Sequence, residues 1–258
     1  MKSSDKQWEK YGSKDPYFGV LSSDKYRFNN LDNDAYLDFF KSGNDDLKII
    51  ISNIQKYLDA SFEPRQSLDF GCGVGRILIP LAKNSLHVVG LDISESMLAE
   101  AQRNCELNHL QNIELIKSDD EFSGVAGRKF NFIHSFIVFQ HISPKRGEKI
   151  LQNMLDHLES HGVGVLHFTY YREATPMEKV KEWVNRYLPL VHNLRNLFKG
   201  KEFDYPLMQM HQYDLNRLFF ILQKRNIHKI YIEMSNHGGY MGVILYFQMI
   251  GLTHSPRK

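Results

Sequence analysis

Strand-like and helix-like segments alternate at least four times between residues 47 and 169, and this alternation restricts the fold more than any other feature. Leu47, Ile50, Ile51, Ile54, Tyr57 and Leu58 mark one face of a helix. Ser67–Phe70 reads as a short buried strand, followed by a helix over Arg76–Lys83 in which Pro80 is tolerable only near the first turn. His87–Leu91 is a second strand ending at Asp92, and Ser94 is a good N-cap for a helix with Met97, Leu98, Ala101 and Cys105 on one face. Ile113–Ile116 is a third strand. Phe130–Phe139 is almost continuously apolar, as a strand covered on both faces should be. Ser143 and Pro144 open a helix with Ile150, Leu151, Met154, Leu155 and Leu158 on one face, and Val163–Thr169 is a fifth strand. Strands separated by helices are expected to run parallel, which gives an α/β, doubly wound fold.

The flanks add to this frame. Residues 1–43 are polar but carry Trp8, Tyr11, Tyr17, Phe18, Tyr26, Phe28, Tyr36, Phe39 and Phe40, too many rings for a disordered tail. They are expected to form an aromatic N-terminal cap ahead of a main domain over 44–258. Residues 171–212 break the alternation with a helical run, Val180, Trp183, Val184, Tyr187, Leu188 and Val191, and an aromatic, basic stretch. This reads as a lid-like insertion between strands five and six. After a helix over Asp214–Asn226, Lys229–Met234 and Gly242–Met249 look like a hairpin around Ser235–Tyr240. The expected architecture is a mostly parallel seven-stranded sheet with a terminal antiparallel hairpin.

Composition excludes several classes. Apolar residues are 42% and charged residues 24%, ordinary for a globular chain with a large core, so no metal site is expected for stability. A net charge of +2 is too small to argue for nucleic acid or an anionic membrane by bulk field. Cys72 and Cys105 do not make a disulfide framework and read as free thiols in a reducing compartment. The start lacks the apolar segment of a signal peptide, and no window is long enough to span a membrane, so a cytoplasmic protein is expected.

The chemistry concentrates where the first strand ends, in Asp69-Phe70-Gly71-Cys72-Gly73-Val74-Gly75. Glycines let the backbone turn tightly and approach a ligand, and a following helix offers unpaired amides. The dinucleotide pattern is incomplete, because Arg76 stands where its third glycine belongs, and the Gly-Lys-Ser/Thr ending of a phosphate loop is missing. What remains is a glycine loop plus Asp92 at the end of the next strand, a carboxylate able to accept from ribose hydroxyls.

Leu68–Arg76 together with Gly90-Leu91-Asp92-Ile93-Ser94-Glu95-Ser96-Met97, Ser118-Asp119 and Phe136–Ile142 resembles the class I (Rossmann-like) methyltransferases that use S-adenosylmethionine. The resemblance covers about residues 45–170 and the terminal hairpin. It implies that Asp69 holds the ammonium of the methionine part, with Gly71, Cys72, Gly73 and Gly75 shaping the loop beneath it. Asp92 would bind the ribose, Ile93 and Met97 would sandwich the adenine, and Asp119 would accept from its amino group. Backbone around Phe136 would face the sulfonium, and Arg76 is either a partner for a carboxylate or part of a structural ion pair. Asn131 replaces a frequent Asp at a position read as structural.

The Asn-Pro-Pro-Tyr type of motif used on amide and nucleobase nitrogens is absent after Phe130. This favours a small-molecule or glycan-like acceptor, a hydroxyl over an amine, over RNA or protein. A catalytically silent cofactor-binding assembly protein is the alternative from another class. Rival bases are His141 and His237, with His141 slightly ahead. The acceptor is expected to be enclosed by Tyr11, Tyr17 and Phe18, by the insertion, and by the loop of His237 and Tyr240. On that expectation, removing residues 1–40 would spare cofactor binding and abolish turnover.

Overall fold

The computed structural model describes residues 3–178, 180, 184, 194, 196–198, 203 and 205–250. Its sheet has seven strands: β1 (Gln66–Phe70), β2 (His87–Asp92), β3 (Ile113–Lys117), β4 (Phe130–Ser135), β5 (Leu158–Arg172), β6 (Lys229–His237) and β7 (Tyr240–Gln248). Their spatial order is β3-β2-β1-β4-β5-β7-β6. β1 to β5 are parallel to one another, and β7 is antiparallel to both β5 and β6. β6 therefore points the same way as β1, and its end at His237 reaches the edge where β1, β2 and β4 end. The direction of winding reverses between β1 and β4, and a ligand crevice belongs beyond the strand ends at such a point.

Around the sheet lie α1 (Ser3–Lys14), α2 (Pro16–Val20), α3 (Asn33–Tyr57), α4 (Leu78–Ala82), α5 (Glu95–Leu107), α6 (Pro144–Asp156) and α7 (Leu215–Lys224). One face of the sheet packs Leu68, Val89, Ile133, Leu166 and Leu245 against Leu151 and Met154 of α6 and Leu218 and Leu222 of α7. The other packs Val88, Phe132, Val165 and Tyr246 against Leu47, Ile50 and Ile54 of α3 and Leu78 and Leu81 of α4. Because side chains alternate along a strand, Asp69 and His134 leave the sheet on the α3 side, among this second set. Asn131 is structural: its side-chain oxygen accepts from the amides of Arg65 and Gln66, and its amide donates to the Glu63 carbonyl. A carboxylate could not make the last bond.

The caps follow the sequence in part. Ser94 and Asp214 accept from Met97 N and Asn216 N, whereas Ser143 makes no side-chain cap bond. Pro80 is the third residue of a five-residue helix, where no intrahelical amide bond is lost. Three expectations change. The helix expected from Leu47 begins at Asn33, capped by Asp32, and runs unbroken to Tyr57, so the boundary drawn at 43/44 falls inside it. β4 ends at Ser135 rather than Phe139, because Ile137 takes a φ of 59°, outside extended backbone. The terminal loop shrinks to Gly238 and Gly239, since the ladder pairs His237 with Tyr240. Of the helical run in the insertion, Trp183, Tyr187, Leu188 and Val191 lie outside the described residues. No helix among the described residues is long and apolar enough to cross a membrane.

Candidate active site

The loop between β1 and α4 is shaped by where its glycines stand. Gly71 and Gly73 have φ of +75° and +54°, the left-handed region that costs a side chain roughly 1–2 kcal/mol. A Cβ on Gly71 would come within 2.3 Å of Val138 Cγ2, and one on Gly73 within 2.6 Å of Val20 Cγ2. The loop is thus pressed between the segment after β4 and the end of α2. Its amide at Gly73 donates to Asp92 Oδ2 at 2.9 Å, and the amide of Ser94 donates to Oδ1 at 2.9 Å. Burial pushes the Asp92 carboxyl up to about 6, against the lowering effect of those two amide bonds.

Above this loop opens a cleft of about 110 Å³, partly open to solvent. Gly71, Gly73, Asp92, Ile93, Met97, Asp119 and Phe136 all line it, so the structure brings together most of the residues singled out in the sequence. Asp69, Cys72 and Arg76 line an adjoining recess that shares Gly71, Phe136 and Ile137 with the cleft. Gly75 lines neither, although its φ of +94° belongs to the same loop. Arg76 resolves to an ion pair, with Nη1 2.6 Å from Asp46 Oδ2 of α3. Both cysteines are free and buried, and burial pushes the Cys72 thiol up.

The candidate bases separate. His141 lines the cleft, but Nδ1 lies 2.8 Å from the Gln209 carbonyl and must donate to it, which leaves Nε2 to accept from the Gln140 amide at 3.2 Å. Both nitrogens are engaged, and burial lowers the His141 pKa to about 4. His237 lies at the far edge, its ring centroid 5.8 Å from Phe136 and 5.2 Å from His167. Burial lowers its pKa as well, against a raising effect of Asp46.

The proposed acceptor-enclosing residues do not converge on one space. Tyr11 and Tyr17 are buried with Tyr26, Phe39, Val74 and Met97 in the core of the cap, and line neither cavity. Their hydroxyls bond Pro206 O and the side chains of Glu100 and Asn104. Phe18 lies under the Arg27 guanidinium, 3.6 Å from ring centroid to Cζ. Tyr240 lies under Arg172, its register partner on β5, and lines neither cavity. What reaches the cleft from the cap is instead Ser4, Asp5, Trp8, Gly19 and Val20. Trp8 meets the His141 ring at 4.7 Å, and Arg146 of α6 bridges Asp5 (2.6 Å) and Asp120 (2.7 Å).

Sequence reasoning also passed over His134, His167 and Ile137. The two histidines had a signal, since each interrupts an apolar strand. Ile137 had none: a β-branched residue at positive φ is a strained outlier that only the surrounding packing imposes, and it sits where cleft and recess meet.

Comparison with known proteins matches one stretch of the chain to a domain family and places its fold. Residues 68–162 match the family model of a methyltransferase domain. The chain is similar in structure to the magnesium protoporphyrin IX methyltransferase of Synechocystis PCC 6803 with bound SAM: 17% identity, TM-score 0.58, covering 96% of this chain and 98% of that one. It is also similar to the N-methyltransferase NodS of Bradyrhizobium japonicum WM9 in complex with S-adenosyl-L-homocysteine: 12% identity, TM-score 0.57, covering 96% and 99%. A tRNA/tmRNA (uracil-C(5))-methyltransferase of Campylobacter concisus (strain 13826) is 40% identical over 67 residues, 25% of this chain but only 18% of the relative's own length. Residues 68–162 are thus a methyltransferase domain, and in fold the chain belongs with the class I, Rossmann-like methyltransferases.

Proposed function

We propose that this chain binds S-adenosylmethionine in the cleft and transfers its methyl group to a small-molecule or glycan-like acceptor, a hydroxyl in preference to an amine. The observation that carries the cofactor is the carboxylate of Asp92, fixed by the Gly73 and Ser94 amides at the wall of an apolar cleft. Each carboxylate oxygen keeps a second lone pair for a ribose hydroxyl. The glycine cradle, which a Cβ at position 71 or 73 would fill, also suits a ligand lying close over backbone. The cofactor supplies the electrophilic methyl group, so the protein has to orient the partners and exclude water. Phe136 and the strained Ile137, shared by cleft and recess, would wall the reacting end.

Asp92 gives this reading a pH signature. Ribose hydroxyls donate, so binding favours the ionised carboxylate. Affinity for S-adenosylmethionine should be level at pH 7–8 and fall as pH drops below the Asp92 value of about 6, by up to tenfold per unit. His141 and His167 protonate only near about 4 and about 3, below this window. Asp92→Asn should flatten the profile and weaken binding 10- to 100-fold at pH 7.5, consistent with about 1.5–3 kcal/mol for hydrogen bonds to a charged group. Calorimetric titrations between pH 5 and 8 decide it, and an unchanged slope in the variant would remove Asp92 from the site.

A hydroxyl acceptor must also lose a proton. With both His141 nitrogens engaged, His237, which lines neither cavity but whose ring meets Phe136, is the base left with a lone pair, and its lowered pKa keeps it unprotonated at neutral pH. His237→Asn should slow single-turnover transfer about 10²- to 10⁴-fold with cofactor affinity within about twofold. A larger loss from His141→Gln would reverse the assignment.

The acceptor class is tested with S-adenosylmethionine labelled in its methyl group. Purified protein is incubated separately with small-metabolite, glycan, RNA and protein fractions. Label recovered in small molecules or glycans supports the proposal. Label in RNA or protein alone overturns it.

A further inference from the structure

Asp69 does not stand alone in its recess. His134 of β4 is its register partner, and Nδ1 of the imidazole lies 2.8 Å from Asp69 Oδ1 with both side chains almost fully buried. A carboxylate oxygen accepts, so Nδ1 is the donor, and in the tautomer protonated at Nδ1 the Nε2 atom offers a lone pair. That Nε2 is buried and has no hydrogen-bond partner among the described residues. Buried polar atoms in folded proteins are nearly always paired, so an acceptor left over in the wall of a cavity points to a donor brought by a ligand. The ring lines the same recess as Asp69, Gly71, Arg76 and Phe136.

The recess has a definite chemical character. It holds two acceptors, Asp69 and His134, and one buried guanidinium, Arg76, whose Nη1 is already paired with Asp46 while its other N–H groups remain for a ligand carboxylate. Such a set matches an ammonium and a carboxylate carried on one carbon. An ammonium offers three N–H donors, more than the oxygen of Asp69 not held by the imidazole can absorb. Asp69 in turn fixes the ring by holding its Nδ1–H, so that Nε2 keeps one direction.

We propose that His134 is a cofactor-binding residue whose Nε2 accepts a hydrogen bond from the α-ammonium of S-adenosylmethionine, beside Asp69. The proposal rests on the cleft being the S-adenosylmethionine site. His134 would then select for the amino-acid end of the cofactor, and contribute nothing to ligands that lack it.

The test compares two probes by calorimetry: S-adenosylhomocysteine, which has the amino-acid group, and 5′-deoxy-5′-methylthioadenosine, which lacks it. His134→Asn retains an amide donor for Asp69 but has no acceptor at the position of Nε2. It should lose ten- to thirty-fold in affinity for S-adenosylhomocysteine and stay within twofold for methylthioadenosine, which also reports that the cleft is intact. Equal losses for both probes, or no loss for either, overturn the role of His134. A wild-type protein that binds neither probe overturns the reading of the cleft itself, a distinct result. A measurement without any variant stands beside this: nitrogen NMR of the wild-type histidines. The His134 Nε2 resonance should shift when S-adenosylhomocysteine is added and hold its position with methylthioadenosine. The same response to both probes would overturn the proposal even if His134→Asn did not fold.

Discussion

Gly73→Val should reduce affinity for S-adenosylmethionine at least 100-fold, roughly 2.7 kcal/mol, in a protein that still unfolds cooperatively. Three effects act together. Position 73 has a φ of +54°, which a β-branched residue adopts only with strain. Its Cβ would stand 2.6 Å from Val20 Cγ2, so either the loop or α2 has to move. Any such movement disturbs the Gly73 amide, which donates to Asp92 Oδ2 and so orients the proposed ribose partner. The damage is confined to a loop and to the end of the cap, while both hydrophobic faces of the sheet are formed elsewhere. Folding should therefore suffer less than binding. Thermal unfolding and calorimetry on the same sample separate the two, and wild-type affinity in the variant would detach the glycine loop from the cofactor.

The part of the fold that was legible in the sequence is the part whose residues repeat with a period. β1, β2, α5 and α6 each announce themselves by a buried stripe or run, α5 also by its Ser94 cap, and β3 by its apolar Ile113, Leu115 and Ile116. The first half of α3 did not, because between Asn33 and Asp46 only Phe39 and Gly43 are buried. Gly43 marks a close crossing: a Cβ there would lie 2.0 Å from the Arg76 carbonyl. An apolar stripe is replaced by a gap, and the helical period disappears with it. α1 is polar, and its packing partners lie on the distant α5 as well as on the neighbouring α2.

The candidate site divides along a similar line. Asp92 and the glycines were legible because a loop that joins a strand to a helix needs particular residues at particular steps. His134 was not, because its meaning lies in a register: only the parallel pairing of β1 with β4 sets it against Asp69. His141 was overvalued, since its position at the end of the fourth strand says nothing of the Gln209 carbonyl, distant in sequence, that takes its Nδ1–H. The aromatic residues of the cap were assigned to the acceptor because rings need burial, but Tyr11 and Tyr17 find it in one another's company, against Phe39 and Met97.

Deletion of residues 1–31 should weaken S-adenosylmethionine binding at least tenfold as well as abolish transfer, contrary to what the sequence suggested. The cut leaves Asp32 in place to cap α3. What it removes is one wall of the cleft, because Asp5, Trp8, Gly19 and Val20 line the same space as Asp92 and Met97. It also removes the ties that hold that wall: the Glu9 carboxylate, which accepts from the hydroxyls of Ser94 and Ser96, and Asp5, which shares Arg146 with Asp120. Ser94 is the cap of α5 and its amide fixes Asp92, so the loss of Glu9 is felt at the proposed ribose site itself. The deletion also uncovers Val74 and Met97, which lowers stability. A point variant separates enclosure from folding. Trp8→Ala removes only the ring that meets His141, and should cost about 1–2 kcal/mol of apolar enclosure, five- to thirty-fold in Kd, with a smaller change in thermal midpoint. If both the folded deletion and Trp8→Ala bind S-adenosylmethionine as the full chain does, the cap covers only the acceptor. If both weaken it, α1 and the ties made by Glu9 and Arg146 form part of the cofactor site itself.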